Sequence, residues 1–280
     1  FPAVRLLPIL DLRGLDELDD EDMVNFKRTN LLDSQAPTPS IETLSHAFLP
    51  HKFVNHTHSS SVLSLTNQPN GEDLCREVFG NKMGLVPYIM PGFDLAKRST
   101  EIFDQAPGVN GLLLLKHGIF TFADTALEAY ERMIEAVTLV ELRLKQGKKP
   151  VFTSAFQRNL LSEDLLIRSE ISLAIRGSLS WKDNESRVQK QFILDFRTSP
   201  EILEYVNGRE IEKYSQKGVV TPDHTIRTKN WPMVVSAPKA GQLEIFKRDV
   251  VSKVMEFENK YRDYFERQSS GKGRHLKKLD

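Results

Sequence analysis

Four leucines stand in a row at Leu112–Leu115 inside VNGLLLLKHG, and Gly118 closes the run. An apolar stretch that short, bounded by turn residues, reads as a buried strand. A different pattern follows it. TALEAYERMIEAVTLVELRLKQG carries Leu127, Tyr130, Ile134, Val137 and Leu144 on a helical period and stops at Gly147. A buried strand feeding a long helix makes this part of the chain α/β.

The remaining signals fit that class. Leu18, Met23 and Phe26 in GLDELDDEDMVNF predict a short surface helix. QAPTPSIETLSHAFLP predicts another, capped by Thr38, with Pro39 at its first position and Pro50 ending it. Glu42 and His46 then share one side of it. KFVNHTH reads as a strand with Val54, His56 and His58 on one face, and SSSVLSLTN as a serine-capped helix. Lys148–Pro150 marks an internal boundary; beyond it SEDLLIRSEISLAIRGSL, SPEILEYVNGREI and QLEIFKRDVVSKVMEFENKYRDYFERQ read as helices and KQFILDFRTS as a strand. The expected organisation is a core over 1–150, an extension over 151–268 and a linker over 269–280. A chain starting at Phe1 rather than Met reads as a piece of something longer, with its amino-terminal part missing.

Composition excludes several partners. With 280 residues, 40% hydrophobic, the chain can bury a real core. Lys+Arg and Asp+Glu both total 38, so no bulk basic field draws in nucleic acid or an anionic membrane. No apolar run approaches the roughly 18 residues of a membrane span, and FPAVRLLPIL lacks the marks of a signal peptide. One cysteine, Cys75, excludes an internal disulfide framework and fits a reducing cytoplasm. Its place in EDLCREVF makes it a packed thiol rather than a nucleophile.

Three of the seven histidines, His56, His58 and His117, fall at or near the polar ends of strands. Two imidazoles at i and i+2 can point at one ion, and a third from another strand completes a three-nitrogen face with a position left open for substrate. Spacing alone leaves a second reading, in which each is simply a hydrogen-bonded histidine. Glu42, just upstream, is the candidate fourth partner, as ligand or general base. His46 reads as an orienting or core residue, while His51 and His275 default to the surface. In VVTPDHTIRTKNWP, His224, Arg227 and Lys229 would face an anion from a strand or loop, Arg227 and Lys229 sharing a side, or else be solvated charges on a structural turn. Tyr88, in VPYIMPG, is a polar candidate that could equally be packing.

PSIE at Pro39–Glu42 with His46, HTH at His56–His58 and LLKHGIF at Leu114–Phe120 resemble, in order and spacing, the class II aldolase/adducin family. The wider wording, including LLDSQAPTPSIETLSHAFLPHKF, PYIMPGFDLAKR and TPDHTIRTKNWP, is similar to proteins that join a rhamnulose-1-phosphate aldolase to a short-chain dehydrogenase acting on lactaldehyde. The resemblance implies a three-layer α/β/α sandwich around a largely antiparallel sheet, with an α/β carboxy-terminal extension, assembled as a homo-oligomer, usually a tetramer. It implies His56, His58 and His117 as ligands of a divalent ion, normally zinc, Glu42 as catalytic acid/base, and Ser40 among the groups holding a sugar phosphate. The implied reaction splits rhamnulose 1-phosphate into dihydroxyacetone phosphate and lactaldehyde. Phosphopentose epimerases and non-catalytic adducin-like modules share the fold. The family's Gly/Asn/Ser/Thr-rich phosphate loop has no match here, Ile41 replaces a second serine, and GKGR at Gly271–Arg274 follows no strand, so no dinucleotide loop of a dehydrogenase is seen.

Overall fold

A computed structural model describes residues 2–147, 165–182 and 188–269. The chain forms two compact units, Phe1–Lys149 with Val219–Asn230, and Pro150–Gly218 with Trp231–Asp280. The segment Val219–Asn230, which a boundary at residue 150 would assign to the extension, thus groups with the first unit. Lys148–Pro150, Gly271–Arg274, His275 and all of the expected linker except Ser269 lie outside the described residues.

In chain order the first unit contains α1 (Leu6–Asp11), α2 (Asp20–Thr29), α3 (Thr43–Phe48), β1 (Phe53–Thr57), α4 (Ser60–Thr66), α5 (Gly71–Phe79), β2 (Met83–Val86), α6 (Phe93–Gln105), β3 (Gly111–Leu114), β4 (Gly118–Ala123) and α7 (Ala126–Gln146). The sheet runs β1-β4-β3-β2. The pairs β1·β4 and β3·β4 are antiparallel and β2·β3 is parallel. Alternation explains the leucine run. Leu113 and Ile119 face one way, into a core with Val62, Leu65, Cys75, Phe79, Met133 and Val140 from α4, α5 and α7. Leu112, Leu114, Phe120 and Phe122 face the other, against Leu95 and Phe103 of α6. Both faces are covered, so strand residues of both parities are apolar. Behind α6, residues Ile9, Met23, Leu44 and Phe48 join α1, α2 and α3 to Phe93 and Ala96. Helices thus cover both faces of a largely antiparallel sheet, the three-layer α/β/α arrangement expected.

Two expectations about helices shift. α3 begins at Thr43, not at Pro39, because Ser40 closes a local turn: its Oγ accepts from the Glu42 amide at 3.2 Å and its carbonyl accepts from the Thr43 amide at 3.1 Å. Glu42 is therefore the residue capping the helix, on a turn and not on a helix face. On α7 the buried stripe is Ala129, Met133, Ala136 and Val140, while Leu127, Tyr130 and Ile134 are 66%, 58% and 48% exposed. The small Ala129 lets α7 sit close on β4, where Thr121 Oγ1 donates to the Ala129 carbonyl at 2.8 Å.

The second unit carries α8 (Arg168–Ser178), β5 (Trp181–Lys182), β6 (Gln189–Lys190), α9 (Pro200–Val206), α10 (Ile211–Tyr214) and α12 (Leu243–Ser269), while α11 (Pro222–Arg227) belongs to the first. Its core is Leu166, Ala174, Phe246 and Val250. α9 starts on Ser199, whose side chain accepts from the Ile202 amide, as its Ser-Pro start predicts. KQFILDFRTS is a strand only at Lys190, since β6 pairs two residues with β5 and Ile193 is 97% exposed. Among the described residues no helix is long and apolar enough to cross a membrane.

Candidate metal centre

Strand register brings the histidines together. His56 pairs with Phe120 across β1 and β4, stacks on its ring at 4.2 Å, and donates from Nδ1 to the Ile119 carbonyl at 3.0 Å. His58, one residue past the strand, donates from Nδ1 to Asp223 Oδ2 at 2.8 Å. His117 lies in the turn joining β3 to β4, where its amide donates to the Leu114 carbonyl at 3.1 Å and Lys116 takes φ +62°. A lysine at that left-handed position costs about 1 kcal/mol, held by the surrounding hairpin. Gly118 makes room: a Cβ there would stand 2.6 Å from the Thr57 carbonyl oxygen and 3.0 Å from His56 Cε1 and His58 Cδ2. No larger residue fits.

Four donor atoms converge. Glu42 Oε1 is 3.1 Å from His56 Nε2, 3.1 Å from His117 Nε2 and 3.5 Å from His58 Nε2, and His56 Nε2 is 3.0 Å from His58 Nε2. The whole set lies within 4.8 Å. Ligand bonds of about 2.0–2.1 Å in a tetrahedron put neighbouring ligand atoms about 3.3 Å apart, so the group fits a divalent ion. Proton placement makes the same demand. The Nδ1 atoms of His56 and His58 face acceptors and must carry the protons, so in the neutral rings both Nε2 atoms present lone pairs to each other and to a carboxylate. Only a cation or an added proton relieves that.

The electrostatics follow. Burial opposes ionisation of Glu42, yet the His117, His56 and His58 rings, in the protonated form that can donate from Nε2, outweigh it and hold the carboxyl well below the usual carboxylate range. The Glu42 carboxylate raises the His58 pKa, against burial and with help from Asp223. Burial, then the charge of His56, pushes His46 down; its ring meets Phe120 edge-on at 5.4 Å.

The structure gathers Glu42, His56, His58 and His117 into one group and leaves the other candidates around or beyond it. Ser40 is beside the centre, with Oγ donating to Glu42 Oε2 at 3.3 Å, so its hydroxyl holds the carboxylate. Its carbonyl accepts from Lys27 Nζ at 3.0 Å, and Lys27 is fully buried. Arg227 ends α11 with its side chain 79% exposed and Nε 3.8 Å from Asp223 Oδ1. Lys229 follows the cap residue Thr228, so the two cations are not alternate residues of one strand. Tyr88 is 53% exposed in the loop after β2, outside the converging group. His51 is not a plain surface residue: it stacks on Phe122 at 4.5 Å. Sequence reasoning passed over Asp223, Gly118 and Lys27. The signal for Gly118 was its place beside His117; no spacing rule joins Asp223 to a histidine 165 residues away.

Residues 13–144 match the class II aldolase and adducin N-terminal domain, and residues 167–279 match the second domain of class II aldolases. The chain belongs to the class II aldolase/adducin family. It is 32% identical over 273 residues to the uncharacterized oxidoreductase YuxG of Bacillus subtilis (strain 168), an alignment covering 95% of this chain and 38% of that protein. The chain therefore spans well under half the length of that relative. Among solved structures, the N-terminal class II aldolase domain of a conserved Thermoplasma acidophilum protein is 39% identical, with TM-score 0.48, over 51% of this chain and 66% of that one. YgbL of Klebsiella pneumoniae, a putative aldolase/epimerase/decarboxylase, is 22% identical, with TM-score 0.35, over 43% of this chain and 62% of that one.

Proposed function

We propose that this chain is the metal-bearing part of an aldolase that splits rhamnulose 1-phosphate into dihydroxyacetone phosphate and lactaldehyde, with zinc as the resident ion. The observation that supports it is the convergence of three imidazole Nε2 atoms on the Glu42 carboxylate. His56, His58 and His117 would hold the ion, and Glu42 Oε1 stands at ligand distance in the same group. Neutral imidazoles leave a divalent ion its full charge, which supplies Lewis-acid stabilisation of the electron density left when a bond beside a carbonyl breaks.

The remaining chemistry belongs to side chains. Cleavage breaks the bond between carbons 3 and 4; the electron pair stays on carbon 3, and the carbon 4 hydroxyl passes its proton to a base other than Glu42, a second group or water, as it becomes the aldehyde. Glu42 handles the proton at carbon 3: its low pKa keeps it ionised, the form that takes that proton in bond formation, and in cleavage the same step runs in reverse after the carboxylate has transiently picked up a proton from solvent. Ser40 Oγ orients that carboxylate through Oε2. Arg227 and Lys229 are the cations this reading assigns to the substrate phosphate. The exposed Leu127, Tyr130 and Ile134 of α7 support assembly as a homo-oligomer.

The test is to incubate metal-loaded full-length protein with rhamnulose 1-phosphate and its fuculose and ribulose counterparts. Lactaldehyde release from the first is the expected result. An isomerised sugar phosphate without aldehyde would make the enzyme an epimerase, and no turnover of any of them would overturn the reading.

A further inference from the structure

The second-domain family match covers residues 167–279, yet the stretch Val219–Asn230 inside it is built into the first unit. What anchors it there is specific. Asn67 Nδ2, at the end of α4, donates to the Val220 carbonyl at 3.0 Å. Thr221 is buried, with extended backbone, and starts α11 with Pro222 at its first position. Its hydroxyl meets His224 Nδ1 at 2.8 Å and its carbonyl accepts from the His224 amide at 3.3 Å. Between those two anchored residues Asp223 has little freedom, and its Oδ2 lies 2.8 Å from His58 Nδ1.

We infer that Asp223 is a positioning residue of the metal centre: by accepting the His58 Nδ1 proton it fixes the tautomer and ring angle that aim Nε2 at the ion, so the second domain supplies part of the first domain's site. The three histidines are not equivalent in this respect. His56 is oriented by a main-chain carbonyl, which no side-chain change removes. His117 Nδ1 is buried without a hydrogen-bond partner among the described residues, so nothing behind the ring fixes its tautomer. His58 sits just beyond the end of β1 and outside the ladder that holds His56, and its Nδ1 is held by a carboxylate from 165 residues downstream. An acceptor behind a ligating imidazole also raises its basicity, and loss of such an acceptor weakens metal binding by roughly 10- to 100-fold. Asp223 further holds Arg227 at 3.8 Å, tying the one exposed cation of α11 to the same carboxylate.

The inference rests on the reading of Glu42, His56, His58 and His117 as a metal centre, and the test separates the two. The full chain and its Asp223→Ala, Asp223→Asn and Asp223→Glu variants are titrated with zinc against a chromogenic chelator, and with cobalt while its visible spectrum is recorded. Expected is a loss of roughly 10- to 100-fold in zinc affinity for Asp223→Ala, a smaller loss for Asp223→Asn, which keeps an acceptor oxygen without the charge, and recovery in Asp223→Glu. The cobalt bands should move in Asp223→Ala, a change that mere loosening of α11 would not produce. Asp223→Asn, nearly isosteric, keeps the inference testable if the alanine variant misfolds. Wild-type affinity and spectrum in both Asp223→Ala and Asp223→Asn would overturn it, whereas a wild-type chain that binds neither ion would overturn the metal centre itself.

Discussion

His56 Nε2 and His58 Nε2 stand 3.0 Å apart while the other nitrogen of each ring donates to an oxygen, so two lone pairs face each other across a gap with no hydrogen of their own. That arrangement is unfavourable unless a cation enters it. In metal-free protein a proton, favoured by the raised His58 pKa, would relieve it; in metal-loaded protein the ion would.

A pH dependence follows from that competition. His58 has its pKa raised above 6.5 in the folded chain, so the stability it lends the metal-free protein is fully present below 6.5 and is lost as pH rises through the folded value. Glu42 is shifted the other way; its contribution is lost only as pH falls through a folded pKa far below the working range, so it is constant near neutrality. Zinc must displace the His58 proton. The gain in Tm on adding zinc should therefore grow as pH rises from 6 toward 8, on the order of one proton's worth of linkage. Thermal unfolding of loaded and stripped protein across that range checks it, since groups remote from the centre cancel in the difference. A zinc increment that is flat or shrinks with pH would contradict it.

Glu42→Gln separates ligation from proton transfer. The amide keeps an oxygen where Oε1 stands but cannot take or give a proton at neutral pH. Zinc content should stay stoichiometric while turnover falls by about 10²-fold or more. Metal analysis and aldehyde release on one preparation measure both, and full activity would remove Glu42 from the acid/base role.

Gly118→Ala should damage the centre without touching a ligand. The added Cβ meets the Thr57 carbonyl oxygen at 2.6 Å, a main-chain atom in the β1·β4 ladder that cannot swing aside, and the His56 and His58 rings at 3.0 Å. Overpacking of this kind costs about 1–3 kcal/mol. Both the Tm and the zinc affinity should drop. A variant that keeps its zinc affinity would show that the rings have slack the distances deny.

Much of this centre could be read from the sequence because its histidines are local in pattern. HTH on a strand puts two rings on one face by alternation alone, and KHG after a leucine run puts the third at a strand end. The strand itself was legible because a sheet covered on both faces needs every residue of Leu112–Leu114 apolar. What was hidden depends on tertiary closeness. Asp223 reaches His58 only through the fold, and the true start of α3 depends on a Ser40 turn stabilised by a lysine from another helix. On α7 the period is right and Val137 and Leu144 do pack against the core, but the buried stripe is centred on Ala129, Met133, Ala136 and Val140, which leaves Leu127, Tyr130 and Ile134 outside.

That lysine gives the last prediction. Lys27 is fully buried on α2, and its Nζ donates to the Ser40 carbonyl at 3.0 Å, at the start of the turn that ends in Glu42. Burial lowers its pKa, with the Asp20 charge opposing, so the ammonium is held at a cost to stability. Nothing in packing requires that charge, and a methionine fills the same stem volume. Lys27→Met should therefore fold with a Tm equal to or above that of the natural chain, as replacements of buried ions often do. The Ser40 carbonyl keeps its bonds from the Thr43 amide and from Thr43 Oγ1 at 2.6 Å, so the turn survives but loses its anchor to α2. Zinc affinity and turnover should both fall several-fold as the Glu42 carboxylate wanders from the ligand group. A Lys27→Met protein that is more stable and fully active would mean the lysine merely fills space; one that is more stable and slower would show that it is retained for the placement of Glu42.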